Sequence, residues 1–581
     1  MKNTLKKPLY FFLLLSLLAA YATGCSSTSN QSNNTEAPGT QNVTEVPVEE
    51  TVAKEAFEGT VIALSDNGIK VNGESVSTDE TSAVYTGADI VYYEEGKDDT
   101  YGAGSEADAH TAEEAAQHTV ITITQPGTYK VTGTISYGQI AIDLGSDAEK
   151  DKEAVVNLVL DNADITCTVA PAIVVYKAYE CGSDDTETAT KDVDTTAAGF
   201  NLILADNSIN TVNGSYVAKI YKEGTTDKLH KYDAAIDSKV SFNINGGEAG
   251  NGILTVNAEN EGISSGLHMT INGGIITVNA GDDSINTSED NVSVLTVNGG
   301  ILTCDSGNGS EGDGIDSNGY IVINGGYTIA CSNPQSMDSG IDSDLGIYIN
   351  GGTLLATGNM YDEVSEDSEQ TFMVLGFNET KAEDKLILIK DADGNPVSAF
   401  NAVNDYTVLV YSSPELAEGD YTLYEVSSVT GDRNGSIYTN ITDYTDAVQL
   451  QYTSTSMGMG GKMASGNMEM PGDGQVPEGM ELPTDGEAPE MPADGQMPEG
   501  MELPAEGEAP KMPAGGQMPE GREEPADGEV QEMPVKGQTT DGIGRPQGGR
   551  GQQTDSTVEP STAFSLSRES YMFGGITQVT E

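Results

Sequence analysis

The triplet Asn-Gly-Gly recurs at Asn245, Asn272, Asn298, Asn324 and Asn350, at spacings of 27, 26, 26 and 26 residues. Internal repetition at such a period is the mark of a solenoid or array. Each triplet follows Ile or Val, and the last four precede short β-rich runs: IITVNA, ILTCDS, YTIACS and TLLATG. A second mark precedes each triplet, as AAIDS around Ile236, EGISS around Ile263, DDSINT around Ile285, DGIDS around Ile315 and SGIDS around Ile341. Four of these Ile sit nine residues before their Asn, and Ile285 sits thirteen before, so length varies in the turns and not in the strands.

Gly-Gly in mid-helix would cost about 2 kcal/mol, and no helical periodicity is present. A local hairpin at each Asn-Gly is possible, but hairpins do not explain a near-constant period with two in-register marks. The expected fold is all-β: a right-handed parallel β-helix over 56–365. Its repeats stack about 4.8 Å apart, with Ile, Leu and Val inside. Asn and Gly stack at the corner, where Asn tolerates left-handed dihedrals and its amide can bond to the next repeat. Less regular repeats are expected at 127–143, 155–169 and 200–212, with 56–92 capping the N-terminal end. From 366 to 456 the strands read as a small antiparallel β unit, completed by 561–581.

Residues 457–560 follow another rule. Gly-Gln recurs at Gly474, Gly495, Gly516 and Gly537, each 21 apart, in a Met/Pro/Glu/Gly-rich unit. Proline every few residues forbids helix and inner strand, so this insertion is expected to be disordered, with an unknown partner. At the other end, Lys2, Lys6 and Lys7 precede an apolar run too short to span a bilayer. Ala22-Thr23-Gly24-Cys25 then resembles a lipoprotein processing site, with Ala22 where Leu is usual. The expectation is a signal peptide over 1–24, lipid on Cys25, and a flexible tether over 25–55. The protein would then sit on the outer face of the cell membrane, touching it through the lipid alone.

The formal charge is −65, from 92 acidic and 27 basic residues. Nucleic-acid phosphates would be repelled. The 457–560 segment, with 21 acids and 6 bases, accounts for only part of this charge. Within the repeats, acids collect at the second mark: Asp282 and Asp283, Asp313 and Asp316, Asp338 and Asp342, with Asp237 and Glu261 at comparable earlier places. Stacked repeats would bring them within about 5 Å of each other. Carboxylates that close repel unless a cation lies between them. No Lys or Arg occurs between residues 240 and 380. Calcium suits an all-oxygen set, to which Asn286 and Ser317 could add; the alternative is a solvated acidic face. Among the cysteines, Cys304 falls in line with Val278, Ala330 and Ala356 as a small core residue. Cys167 and Cys181 could pair.

The phrases GTYKVTGTISYGQIAI, NLVLDNADIT, AAIDSKVSFNINGG, GISSGLHMTINGG, DGIDSNGYIVINGG and SPELAEGDYTLY carry a further signal. Through them, residues 56–430 resemble a bacterial, largely clostridial, carbohydrate-binding β-helix family that binds cellulose and pectin-type acidic sugars. That family is similar in fold to polysaccharide lyases. The resemblance implies a calcium-associated, non-catalytic binder of plant cell-wall polysaccharide. The family's Lys beside the Ile-x-Ser mark is kept here only at Lys239. With no Trp in the chain, sugar rings would stack on Tyr, and Tyr320, Tyr327 and Tyr348 are the candidates. Two alternatives stand beside this: a calcium-dependent lyase using Lys239, beside Asp237, as base, with His230 and His268 weaker options; and a surface adhesin without a sugar ligand.

Overall fold

The computed structural model describes residues 57–456, apart from 99 and 226, and residues 557–579. The signal segment, Cys25, the tether and most of the 21-residue repeat lie outside the described residues. Everything below belongs to the unit that begins at Glu58. The fold is all-β. Among the described residues, its α-helix is the single turn Ala112–Ala115, capped by Thr111.

Three parallel ladders organise the repeats. One runs through Ile173–Lys177, Ala234–Ser238, Glu261–Ser265, Ile285–Thr287, Ile315–Ser317 and Ile341–Ser343. A second takes the strands that end at the Asn-Gly-Gly triplets, from Phe242–Asn245 to Gly346–Ile349. A third takes the strands that follow them, from Ile253–Ala258 to Thr353–Gly358. Each repeat contributes one strand to each ladder, in the same order.

The register follows the sequence marks. Ile121, Ile140, Ile173, Ile236, Ile263, Ile285, Ile315 and Ile341 form one column. Each of them is at most 1% exposed. Ile285 keeps its place although its repeat is longer before the triplet; the extra residues go into the turn at 288–293. Val278, Cys304, Ala330 and Ala356 also align, all buried.

The corner has its own ladder. Asn272, Asn298, Asn324 and Asn350 each donate Nδ2 to Oδ1 of the preceding Asn, at 2.9–3.0 Å. Exposed amides thus satisfy one another from repeat to repeat. The second glycine of the triplet is required twice over. Gly326 has φ +76°, and a Cβ there would lie 2.6 Å from the Gly300 carbonyl oxygen.

The parallel stacking stops at Thr353–Gly358, which pairs antiparallel with Tyr406–Ser412. An antiparallel unit follows, packed around Phe377, Phe400, Tyr411, Phe564 and Phe573. Met572–Gln578 returns to it, pairing with Phe372–Lys381 and Val448–Ser454. The structure corrects one boundary: the strand Thr557–Ser561 is ordered against Val448–Ser454, so residues 557–560 do not belong to the expected disordered insertion. This strand pairs on one side, where Pro560 is tolerated. Cys167 and Cys181 do not pair: both are free thiols, and Cys167 is packed inside the core.

Candidate functional site

Alternation along a strand sends every second residue to the opposite face. Since the Ile column faces the core, its neighbours Asp237, Ser264, Asn286, Asp316 and Asp342 form the opposite column. Asp282, Asp283, Asp313 and Asp338 sit in the turns that lead into these strands.

The structure brings Asp313, Asp316 and Asp342 together, with one carboxylate oxygen of each within 4.8 Å of the others. Several acids of the row also hold backbone N–H groups. Asp283 Oδ1 accepts from Asp313 N at 2.7 Å, Asp313 Oδ1 from Ser339 N at 2.6 Å, and Asp338 Oδ2 from Gly312 N at 2.7 Å. These bonds fix the carboxylates in place. One repeat earlier, Glu261 Oε1 accepts from Asn286 Nδ2 at 3.1 Å. Glu261 Oε2 and the amide oxygen Asn286 Oδ1 are buried without a hydrogen-bond partner. Asp362, beyond the last triplet, accepts from Ser343 N at 3.1 Å.

The electrostatic cost is large. Two full charges 4.8 Å apart repel by roughly 3 kcal/mol at an effective dielectric of about 20. Burial, then Asp342, pushes Asp313 up to about 8. Burial, then Asp342 and Asp344, pushes Asp316 up to about 7. Burial, with Asp313 and Asp316 nearby, holds Asp283 well above the usual carboxylate range. Asp282 is raised by burial, then by Glu311 and Asp338. A cation with several oxygen ligands removes this penalty. The donor set of carboxylates and an orphaned amide oxygen, with no nitrogen or sulfur, fits calcium.

Lysines answer the acids at one end of the row. Lys239 Nζ lies 2.9 Å from Asp237 Oδ1, a carboxylate 1% exposed, and 4.7 Å from the Tyr232 ring centroid. Lys231 pairs with Asp233. Lys239 is therefore held by a buried anion, a poor setting for a base that must take a substrate proton. His268 is also committed: its Nδ1 accepts from Val294 N at 3.1 Å, and burial lowers it to about 4. His230 Nδ1 bonds the Tyr232 hydroxyl at 3.0 Å, and burial lowers its pKa.

The tyrosines divide. Tyr320 and Tyr348 meet, with ring centroids 6.2 Å apart. Tyr348 ends a column on the second ladder that is polar except at Val322: Asn157, Asn201, Asn243, Thr270, Thr296, Val322, Tyr348. A groove of about 350 Å³ follows the amides and hydroxyls of this column and the Asn corner. The 182–198 segment reaches over it. Thr195 Oγ1 bonds Asn243 and Thr270 at 2.7 Å each, and Lys191 Nζ lies 5.1 Å from the Tyr348 ring centroid. Tyr327 is on the third ladder and packs against the core of the antiparallel unit. It does not join the other two.

Residues 117–404 match the model of a family described as carbohydrate-binding domain-containing protein. A protein of the same description from Acetivibrio thermocellus is 33% identical over 157 residues. That match spans 27% of this chain and 43% of the relative's length. A solved structure, a polysaccharide lyase-like protein from C. thermocellum in a gadolinium derivative, is 21% identical, with a TM-score of 0.29. Its alignment covers 53% of this chain and 96% of its own.

Sequence reasoning missed Asp362, which lies beyond the last Asn-Gly-Gly mark. It also missed Asp233, whose position just before the AAIDS mark was the available signal.

Proposed function

We propose that this protein is a non-catalytic, surface-held binder of plant cell-wall-type polysaccharide, either cellulose or a pectin-like acidic glycan, and that calcium assists it. The observation that carries this reading is the Asp313, Asp316 and Asp342 cluster, lying inside the segment that matches a carbohydrate-binding family. In this reading the three ladders wind as a right-handed parallel β-helix, with lipid on Cys25 tethering it outside the cell.

Asp313, Asp316 and Asp342 would hold one cation, and Glu261 with Asn286 and Asp283 a second. Bound calcium would neutralise the row and offer open coordination positions to sugar hydroxyls or carboxylates. Tyr320 and Tyr348 would supply apolar ring surface, and the Asn and Thr side chains of the polar groove would pair with hydroxyls. The engagement of Lys239 by Asp237 supports binding without β-elimination.

Affinity electrophoresis on a polysaccharide panel, in calcium or in chelator, is the test. Retardation on at least one plant cell-wall polymer, weakened by chelator, is expected. Migration unaffected by every polymer, with or without calcium, would leave a surface protein without a sugar ligand.

A further inference from the structure

Lysines are scarce in this chain, and four of the twelve between residues 57 and 365 converge on one place. Lys177, Lys228, Lys231 and Lys239 line a groove of about 540 Å³. The strands Thr119–Ile123 and Gly138–Asp143 contribute to it, and so does Lys228–Tyr232, half of a hairpin with Val217–Tyr221. Three of the amines are already paired: Lys177 with Glu149, Lys231 with Asp233, and Lys239 with Asp237. Among the described residues, Lys228 has no carboxylate within ion-pair distance. Burial, with Lys239 and Lys231 close by, pulls its amine below the usual range.

The rest of the groove suits a ring with hydroxyls. Tyr176 and Tyr232 meet edge to face, with centroids 5.4 Å apart. Gln139 spends its Nε2 on the Pro171 carbonyl at 2.8 Å, while its Oε1 has no partner. Thr122 Oγ1, also buried, has none either. Gln139 is 1% and Thr122 6% exposed. Asp89 and Asp143 add carboxylate acceptors. Aromatic edges, hydroxyl acceptors and one ammonium held in no ion pair together describe the recognition of a carboxylated sugar.

We infer that this groove is a second, calcium-independent subsite that binds a uronate residue, with Lys228 as partner of the sugar carboxylate and Tyr176 and Tyr232 against its ring. The inference rests on the carbohydrate-binding reading and adds a place and a ligand class. The groove is separate from the Asp313 cluster, so the two can fail separately.

The test is calorimetric titration in EDTA with hexagalacturonate and with cellohexaose. Wild type should bind hexagalacturonate the more tightly. K228E and K228Q should each lose about tenfold or more, the worth of one charge-assisted hydrogen bond. K222E, on the same hairpin but outside the groove, should match wild type. Equal affinity of wild type and both Lys228 variants would overturn the site. Equal binding of the two oligosaccharides would overturn the uronate assignment and leave carbohydrate binding standing. Binding of neither in EDTA would also overturn it, while retardation on polysaccharide gels in calcium would still decide the broader reading.

Discussion

Stripped of divalent cations, the protein is expected to lose stability steadily as pH rises from about 4 to about 8, and calcium should restore it. The sign follows from the raised carboxyls. Below the unfolded value, near 3.9, both states are protonated and the full stability is present. Above it, the unfolded chain releases protons that folded Asp313 and Asp316 keep up to about 8 and about 7. Stability therefore falls through that window, at about 1.4 kcal/mol for each unit of displacement. The coupling between the two groups makes their sum smaller than two separate shifts. Urea midpoints measured from pH 5 to 8 in EDTA should decline, and millimolar calcium should flatten the decline. D316N adds a crossing of sign. Asn already occupies the aligned position 286 in the repeat before. In EDTA at pH 8 the variant should be more stable than wild type, having lost a repelling charge. In calcium it should be less stable, having lost a ligand. A midpoint independent of both pH and calcium would contradict the account of this cluster.

Ile285→Ala should cost about 2–5 kcal/mol, read as a lowered urea midpoint in calcium with an unchanged slope. Ile285 is fully buried between Ile263 and Ile315. Its two neighbours in the column lie directly on either side of it in the ladder, so the cavity opens against both of them. A loss below about 1 kcal/mol would mean that the column can collapse around the gap, as loosely packed sites do. The substitution also tests the register directly, because Ile285 is the one marked Ile whose distance to its triplet differs.

That register was legible because it is a property of the repeat. The same side chain recurs at the same place in each repeat, and parallel pairing keeps like over like, so the DDSINT mark aligned Ile285 with its neighbours and even spacing aligned Cys304 with Val278 and Ala330. The gathering of Asp313, Asp316 and Asp342 was legible for the same reason. Tyr327 shows where periodicity stops. It recurs in phase with its ladder, but that ladder lies against the antiparallel unit, and nothing in a period tells which side a later segment will cover. The lysine groove was illegible for a different reason. Thr122, Gln139, Tyr176 and Lys228 are far apart in sequence, in irregular repeats without the Asn-Gly-Gly mark. Only the alignment of Ile121, Ile140 and Ile173 with the later column brings them to one face. The strand around Pro560 was obscured by composition, since an edge strand accepts a proline that an inner strand would not.

The most direct measurement is the linkage between cation and glycan. Calcium affinity is measured by titration with and without saturating polysaccharide, choosing the polymer that retards the protein most on gels. Polysaccharide affinity is measured with and without saturating calcium. If the acid row holds a cation that the glycan also contacts, each ligand must raise the affinity of the other by the same factor. A shared, reciprocal factor well above one, abolished in D313N/D316N/D342N, is the expected result. Calcium affinity unchanged by the polymer, with polysaccharide binding unchanged by calcium, would contradict calcium-assisted recognition.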